Sequence, residues 1–249
     1  MNRRGLLAGV GISLSTAVAG CLGDGAFDGG DRENGDEEGD EQREVEPIEE
    51  DPRVDEPPHE ITPQDDEDPD SWNDEYLGEE MATEPSLSFE VLPVTRRMLS
   101  DHGQRLTEYD TRIGEYWVEI VDTEDARDEL LDIEEIHDEQ LRERLEAVDF
   151  EDFLLIILET GYGSSSVGHR WARVEEGEKG VHLHGYYMDP LGRDGDISTT
   201  VSVLEVERPS KELIARVSLT VSQDLRVHFN STEGVVTVDV HKDDCSPYR

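Results

Sequence analysis

The chain has 249 residues and 28.1 kDa, with 63 Asp and Glu against 22 Lys and Arg, a formal charge of -41 and a pI near 4.2. That balance excludes nucleic-acid binding by bulk attraction, because a phosphate polymer needs a cationic surface that can release its counterions. Only Lys179, Lys211 and Lys242 are lysines. Acidic excess with so little Lys predicts a protein adapted to concentrated salt, where a Debye length of about 3 Å at 1 M screens carboxylate repulsion.

Arg3 and Arg4 precede an uncharged stretch from Gly5 to Gly20, which ends in Val18-Ala19-Gly20-Cys21 and turns acidic at Asp24. A spanning helix needs about 20 apolar residues, and this shorter run carries Gly9, Gly11, Ser13, Ser15 and Thr16, so it reads as a targeting segment. The paired arginines resemble a twin-arginine export signal, and Val18 to Cys21 resembles a lipobox. Together they are similar to the leader of a haloarchaeal exported lipoprotein. That resemblance implies export of the folded chain, with Cys21 as the first mature residue, carrying lipid at the outer face of the cytoplasmic membrane. A single acyl group binds only marginally, so stable anchoring implies a diacylglyceryl-type modification.

Residues 22–85 carry 27 acidic and 3 basic side chains with almost no periodic apolar positions. Low hydrophobicity with high net charge predicts a disordered tether, reinforced by the Gly-rich 23–39 stretch and by Pro47, Pro52, Pro57, Pro58, Pro63 and Pro69. A flexible chain of that length reaches on the order of 45 Å. The acidic tract 28–40 lacks the ligand spacing of an EF-hand loop.

Residues 86–249 then form one domain, long enough for a real core. Strands are expected over Leu87–Leu92 and Ile113–Val121. Thr123, followed by Glu124 and Asp125, reads as the start of a short helix, and a second is expected from about Asp138 to Ala147 with Leu141 and Leu145 on one face. The uninterrupted FLLIIL run, Phe153–Leu158, suits a central strand covered on both faces. Further strands are expected over 170–174, 181–188, 199–206, 214–221, 226–229 and 235–240, separated by turn residues. The fold class is therefore α+β: a mainly antiparallel sandwich or partial barrel with two short helices on one side.

The order Val148-Asp149-Phe150, apolar strand, Gly/Ser loop and β-meander, over roughly 148–221, resembles the C-terminal domain of protease-complex subunit PrcB proteins. The resemblance implies a noncatalytic, extracytoplasmic accessory or binding module.

The Glu159–Gly168 segment, ETGYGSSSVG, is expected to be a loop. It lacks the P-loop Lys, does not fit G-x-S-x-G, and gives Ser165 no assignable base. His182 and His184 stand two apart on one strand face, a spacing that can chelate zinc or copper, and His241 and Cys245 could supplement them. Asn230-Ser231-Thr232 satisfies the N-glycosylation rule in what reads as an exposed turn. Tyr162, Ser165, Arg170 and Trp171 are candidate ligand contacts, with Tyr186, Tyr187 and Arg193 nearby. Trp171 alternates with charged neighbours and could instead face the core. The remaining carboxylates read as solvated faces. The resulting expectation is a lipid-anchored, noncatalytic binding or interaction domain that requires no cofactor. Its partners would be the membrane through Cys21 and an envelope protein or extracellular ligand, with no nucleic acid. The alternative is a metal-binding or metal-dependent surface enzyme using His182 and His184.

Overall fold

The computed structural model of the chain describes residues 47–57, 86–106, 113–177, 179–188, 195–210, 213–222 and 225–239. All lie in the second of two compact units, Glu44–Arg249. The export and lipidation motifs through Cys21, the aromatics Trp72 and Tyr76, and Arg193, His241 and Cys245 lie outside the described residues.

The described residues form two five-stranded sheets. One, the central sheet, contains β2 (Phe89–Leu92), β3 (Ile113–Val121), β4 (Phe153–Gly163), β7 (Ser198–Glu207) and β10 (Val236–Asp239) in the order β10-β3-β4-β7-β2. The other, the outer sheet, contains β1 (Val54–Asp55), β5 (Gly168–Gly177), β6 (Gly180–Met188), β8 (Ala215–Ser222) and β9 (Leu225–Asn230) in the order β1-β9-β8-β6-β5. Neighbours pair antiparallel except β6 and β8. Those two are parallel because β7, which separates them in sequence, belongs to the other sheet. Helices α1 (Glu124–Leu130) and α2 (Glu139–Glu146) complete an α+β sandwich.

Strand β4 is the middle of the central sheet, as its FLLIIL run predicts, and alternation divides its side chains between two cores. Leu154, Ile156 and Leu158 face the outer sheet, meeting Leu183, Val217, Leu219, Val227 and Phe229. Leu155 and Ile157 point the other way, into a layer built from Leu130, Leu131, Ile136, Leu141 and Leu145. The middle of the central sheet is thus covered on both sides, while the outer sheet has one core face.

Both helices start where their caps require. Thr123 Oγ1 accepts from Ala126 N at 3.2 Å, and an Asp138 carboxylate oxygen accepts from Gln140 N and Leu141 N at 3.0 and 3.2 Å. These bonds satisfy amide donors that the first helical turn leaves open.

Two expectations need correction. The Glu159–Gly168 loop is mostly ladder: β4 continues to Gly163 through a register shift between Thr160 and Tyr162, leaving a tight turn with Val167 N on Ser164 O at 3.0 Å. More consequentially, residues 47–57 belong to the fold. Val54 and Asp55 pair with Val227 and Arg226, extending the outer sheet. Composition marks this segment as tether because it is acidic and proline-rich. Two of its carboxylates, Glu50 and Asp55, are instead paired with Arg216 and Arg226 far along the chain.

Gly185 marks the tightest approach in the outer sheet. A Cβ there would sit 2.6 Å from the Trp171 ring and 2.7 Å from Arg170 O. Gly185→Ala should therefore lower stability by about 1–3 kcal/mol through overpacking, read as a drop in the thermal midpoint. An unchanged midpoint would mean that β5 and β6 do not close as described.

Candidate functional site

The period of two that buries Val181 and Leu183 turns His182 and His184 to the opposite face of the outer sheet. The same holds for its neighbours, so the registers align three rows of side chains across that face. One row runs Glu175, His182, Arg216, Asn230; the next runs Arg173, His184, Ser218, His228; the third runs Arg170, Tyr186, Thr220, Arg226, Asp55. Every member carries a polar group. A sheet face opposite a core is ordinarily solvated, yet Arg173, His184, Ser218, Thr220 and Asn230 are each buried.

Within these rows His182 and His184 lean together, their ring centroids 4.1 Å apart. His182 Nε2 lies 2.8 Å from Ser218 Oγ, and the same hydroxyl lies 2.8 Å from His228 Nδ1. Asp55 Oδ1 stands 2.9 Å from His228 Nε2, off the line of the ring N–H. His184 Nε2 reaches Glu175 Oε2 at 3.1 Å, and Arg173 Nε approaches Glu175 Oε1 at 2.9 Å, again out of line. Burial holds both His182 and His184 down at about 3, helped for His182 by its neighbour His184 and for His184 by Arg173, so both rings are neutral near pH 7. Burial pushes the Asp55 carboxyl up, but Arg226 and His228 outweigh it and leave it below its ordinary value.

The order Asp55, His228, Ser218 has the composition of a nucleophilic triad, but its setting is structural. Ser218 lies within β8, is buried, and shares its hydroxyl between two imidazoles. Backbone amides inside a paired strand are committed to the ladder, which leaves no oxyanion donor beside it. The face offers hydrogen-bonding capacity. Among the described residues, the buried side-chain atoms without an aligned partner all belong to it or its continuation: Arg173 Nε and Nη1, His184 Nδ1, Thr220 Oγ1, Ser222 Oγ and His228 Nε2. Those atoms are withdrawn from water; what the face presents to a polar partner is its reachable groups, exposed Arg170 and Arg216 and half-buried Glu175, His182 and Arg226.

The two histidines proposed from their spacing are thus brought together. Their Nε2 atoms, however, are engaged by Ser218 and Glu175, and among the described residues no group of three or more His, Cys, Asp or Glu is arranged to hold a metal. The other candidates do not converge. Arg170 is exposed on the outer face, its Nε 3.4 Å from Met188 Sδ, whereas Trp171 points inward and donates from Nε1 to Ser202 Oγ at 3.0 Å. Tyr162 lies in β4 opposite Thr199, and Ser165 occupies the β4–β5 turn, its N–H on Asp196 Oδ1 at 3.2 Å. Asn230 is not in an exposed turn. It is 1% exposed, and its Nδ2 donates to Ile48 O, Glu50 Oε1 and Glu233 Oε2, so in the folded chain the nitrogen a glycan would need is already committed.

Sequence reasoning missed two polar clusters. Between the sheets, His169 contacts Ser202 Oγ through Nδ1 at 2.8 Å and Thr160 Oγ1 through Nε2 at 2.9 Å, its ring stacked on Tyr187 at 5.5 Å. Burial lowers His169 to about 3 and raises Tyr187 to about 12. On the helical side, Glu159 is wholly buried and accepts from Arg96 Nε, Thr199 Oγ1, Arg105 N and Leu106 N at 2.8–2.9 Å. A single acidic residue directly after FLLIIL was the available signal, since a carboxylate continuing a doubly covered strand needs partners.

Comparison with known proteins finds no family model that matches the chain, no match among curated proteins and none among solved structures.

Proposed function

We propose that this chain is a noncatalytic binding domain, lipid-anchored through Cys21 outside a salt-adapted cell, that presents the outer face of its β1-β9-β8-β6-β5 sheet to a polar ligand or envelope partner. The observation that carries the binding assignment is the three-row polar face, on which exposed Arg170 and Arg216 stand among half-buried Glu175, His182 and Arg226. Support for the anchor comes from Arg3-Arg4, the uncharged run and Val18 to Cys21. Among the described residues no helix is long and apolar enough to cross a membrane.

The test has two arms. In producing cells, Cys21→Ser should move the chain from membranes to the medium, and the native amino-terminal peptide should carry lipid; retention of the variant would sink the anchor. Purified Cys21→Ser chain should then bind envelope preparations saturably in multimolar salt. Replacing the accessible Arg170 and Glu175 with Ala should reduce that binding at least tenfold. Binding that ignores both substitutions would remove the outer face from the proposal.

A further inference from the structure

Residues 47–57 form a strap held by contacts of unusual specificity for so short a segment. Ile48 N donates to Thr232 Oγ1 at 2.8 Å, and Ile48 O accepts from Asn230 Nδ2 at 2.6 Å. Glu50 receives both the Arg216 fork and Asn230 Nδ2. Arg53 forks onto Glu233 and donates to His228 O at 2.9 Å, while His228 N donates to Arg53 O at 2.9 Å. Asp55 takes the Arg226 fork at 2.8 and 2.6 Å. Three forked pairs thus read Glu, Arg and Asp at positions i, i+3 and i+5, and the strand ladder sets their register.

The receiving groups all come from β8, β9 and the turn after β9, residues 216–233. The strap joins them only through 28 intervening residues, 58–85, and the rest of the domain. A groove that selects so short a segment by sign and register will accept the same segment from another molecule. Every copy carries it. Exchange between two copies keeps every strap contact, so in salt concentrated enough to screen the repulsion between two chains of charge -41 the equilibrium is set by effective concentration.

We propose that the β8–β9 groove is a docking site for an extended Glu-x-x-Arg-x-Asp segment and that a second copy of this chain supplies it in trans, forming a strap-exchanged dimer. The intramolecular strap competes at an effective concentration on the order of 1 mM, which sets the dimer dissociation constant near the same value. Crowding on a surface favours the dimer; dilute solution favours the closed monomer.

Val54 and Val227 supply the test. They face each other next to the hydrogen-bonded Arg53–His228 pair, so they occupy the closer, non-hydrogen-bonded register, where a disulfide fits. In full-length chains carrying Cys21→Ser and Cys245→Ser, Val54→Cys is placed in one and Val227→Cys in another. Mixed at about 1 mM and oxidised, they should give a covalent dimer of one chain of each kind, falling at least tenfold in yield at about 10 μM. A chain carrying both cysteines should close its own disulfide. If it does so while the mixture gives no heterodimer at about 1 mM, exchange is overturned. If it fails to close, the docked strap itself is overturned and the proposal with it.

Discussion

Glu159→Ala should destabilise the domain by about 2–4 kcal/mol, the loss of one buried charged acceptor shared by several donors. The carboxylate is fully buried on β4 and is the common acceptor for Arg96 Nε, Thr199 Oγ1 and the amides of Arg105 and Leu106. Truncation takes one acceptor from the Arg96 guanidinium, which is part-exposed and also bonds Leu106 O, and orphans the buried Leu106 amide, which carries a desolvation cost. Glu159→Gln keeps one acceptor oxygen and should fall between the two. Urea unfolding at fixed high salt measures both. A loss under about 1 kcal/mol for Glu159→Ala would mean that water replaces the carboxylate freely and that the 96–106 segment is not tied to β4 through it.

Stability should also fall steeply as pH drops from about 6.5 toward 4. His169, His182 and His184 are held by burial at about 3 in the folded chain, against an ordinary value near 6.5 when unfolded. Above 6.5 both states are neutral and these groups contribute no pH dependence. Between 6.5 and 3 the unfolded chain binds protons that the folded chain does not, so stability rises with pH through this window. Each histidine can contribute up to about 1.4 kcal/mol per pH unit. Three together reach roughly 4 kcal/mol per unit, a large fraction of a typical domain's 5–15 kcal/mol. His182 and His184 titrate as a pair because their rings are 4.1 Å apart, so the profile belongs to the pair. His182→Gln with His184→Gln should remove about two-thirds of the slope, and His169→Gln the remaining third. A flat profile between pH 6.5 and 4.5 would show that these rings are solvated in the folded chain.

Both effects arise from groups whose surroundings are assembled from distant parts of the chain. Glu159 meets Arg96 and Leu106 from the β2–β3 connection and Thr199 from β7. His169 finds Thr160 and Ser202 from the facing sheet. Local pattern identifies a histidine or carboxylate but carries no information about what lies across the core.

The same physics divides what was legible from what was not. Alternation and turn chemistry are local, and they set the strands, the capped starts at Thr123 and Asp138 and the doubly covered β4, because each depends on residues within a few positions of one another. They also set His182 and His184 on one face. Net charge and proline, by contrast, average over a window, and so they assign 47–57 to the tether although Glu50, Arg53 and Asp55 each have one matched partner more than 160 positions away. The sequon at Asn230 is local too, but its burial is not: it depends on Ile48 and Glu50 arriving from that strap. The sequence by itself determined the strand pattern, the helix starts and the acidic character. Only the tertiary structure decided which polar groups are withdrawn from water, because desolvation and pairing are properties of neighbours in space.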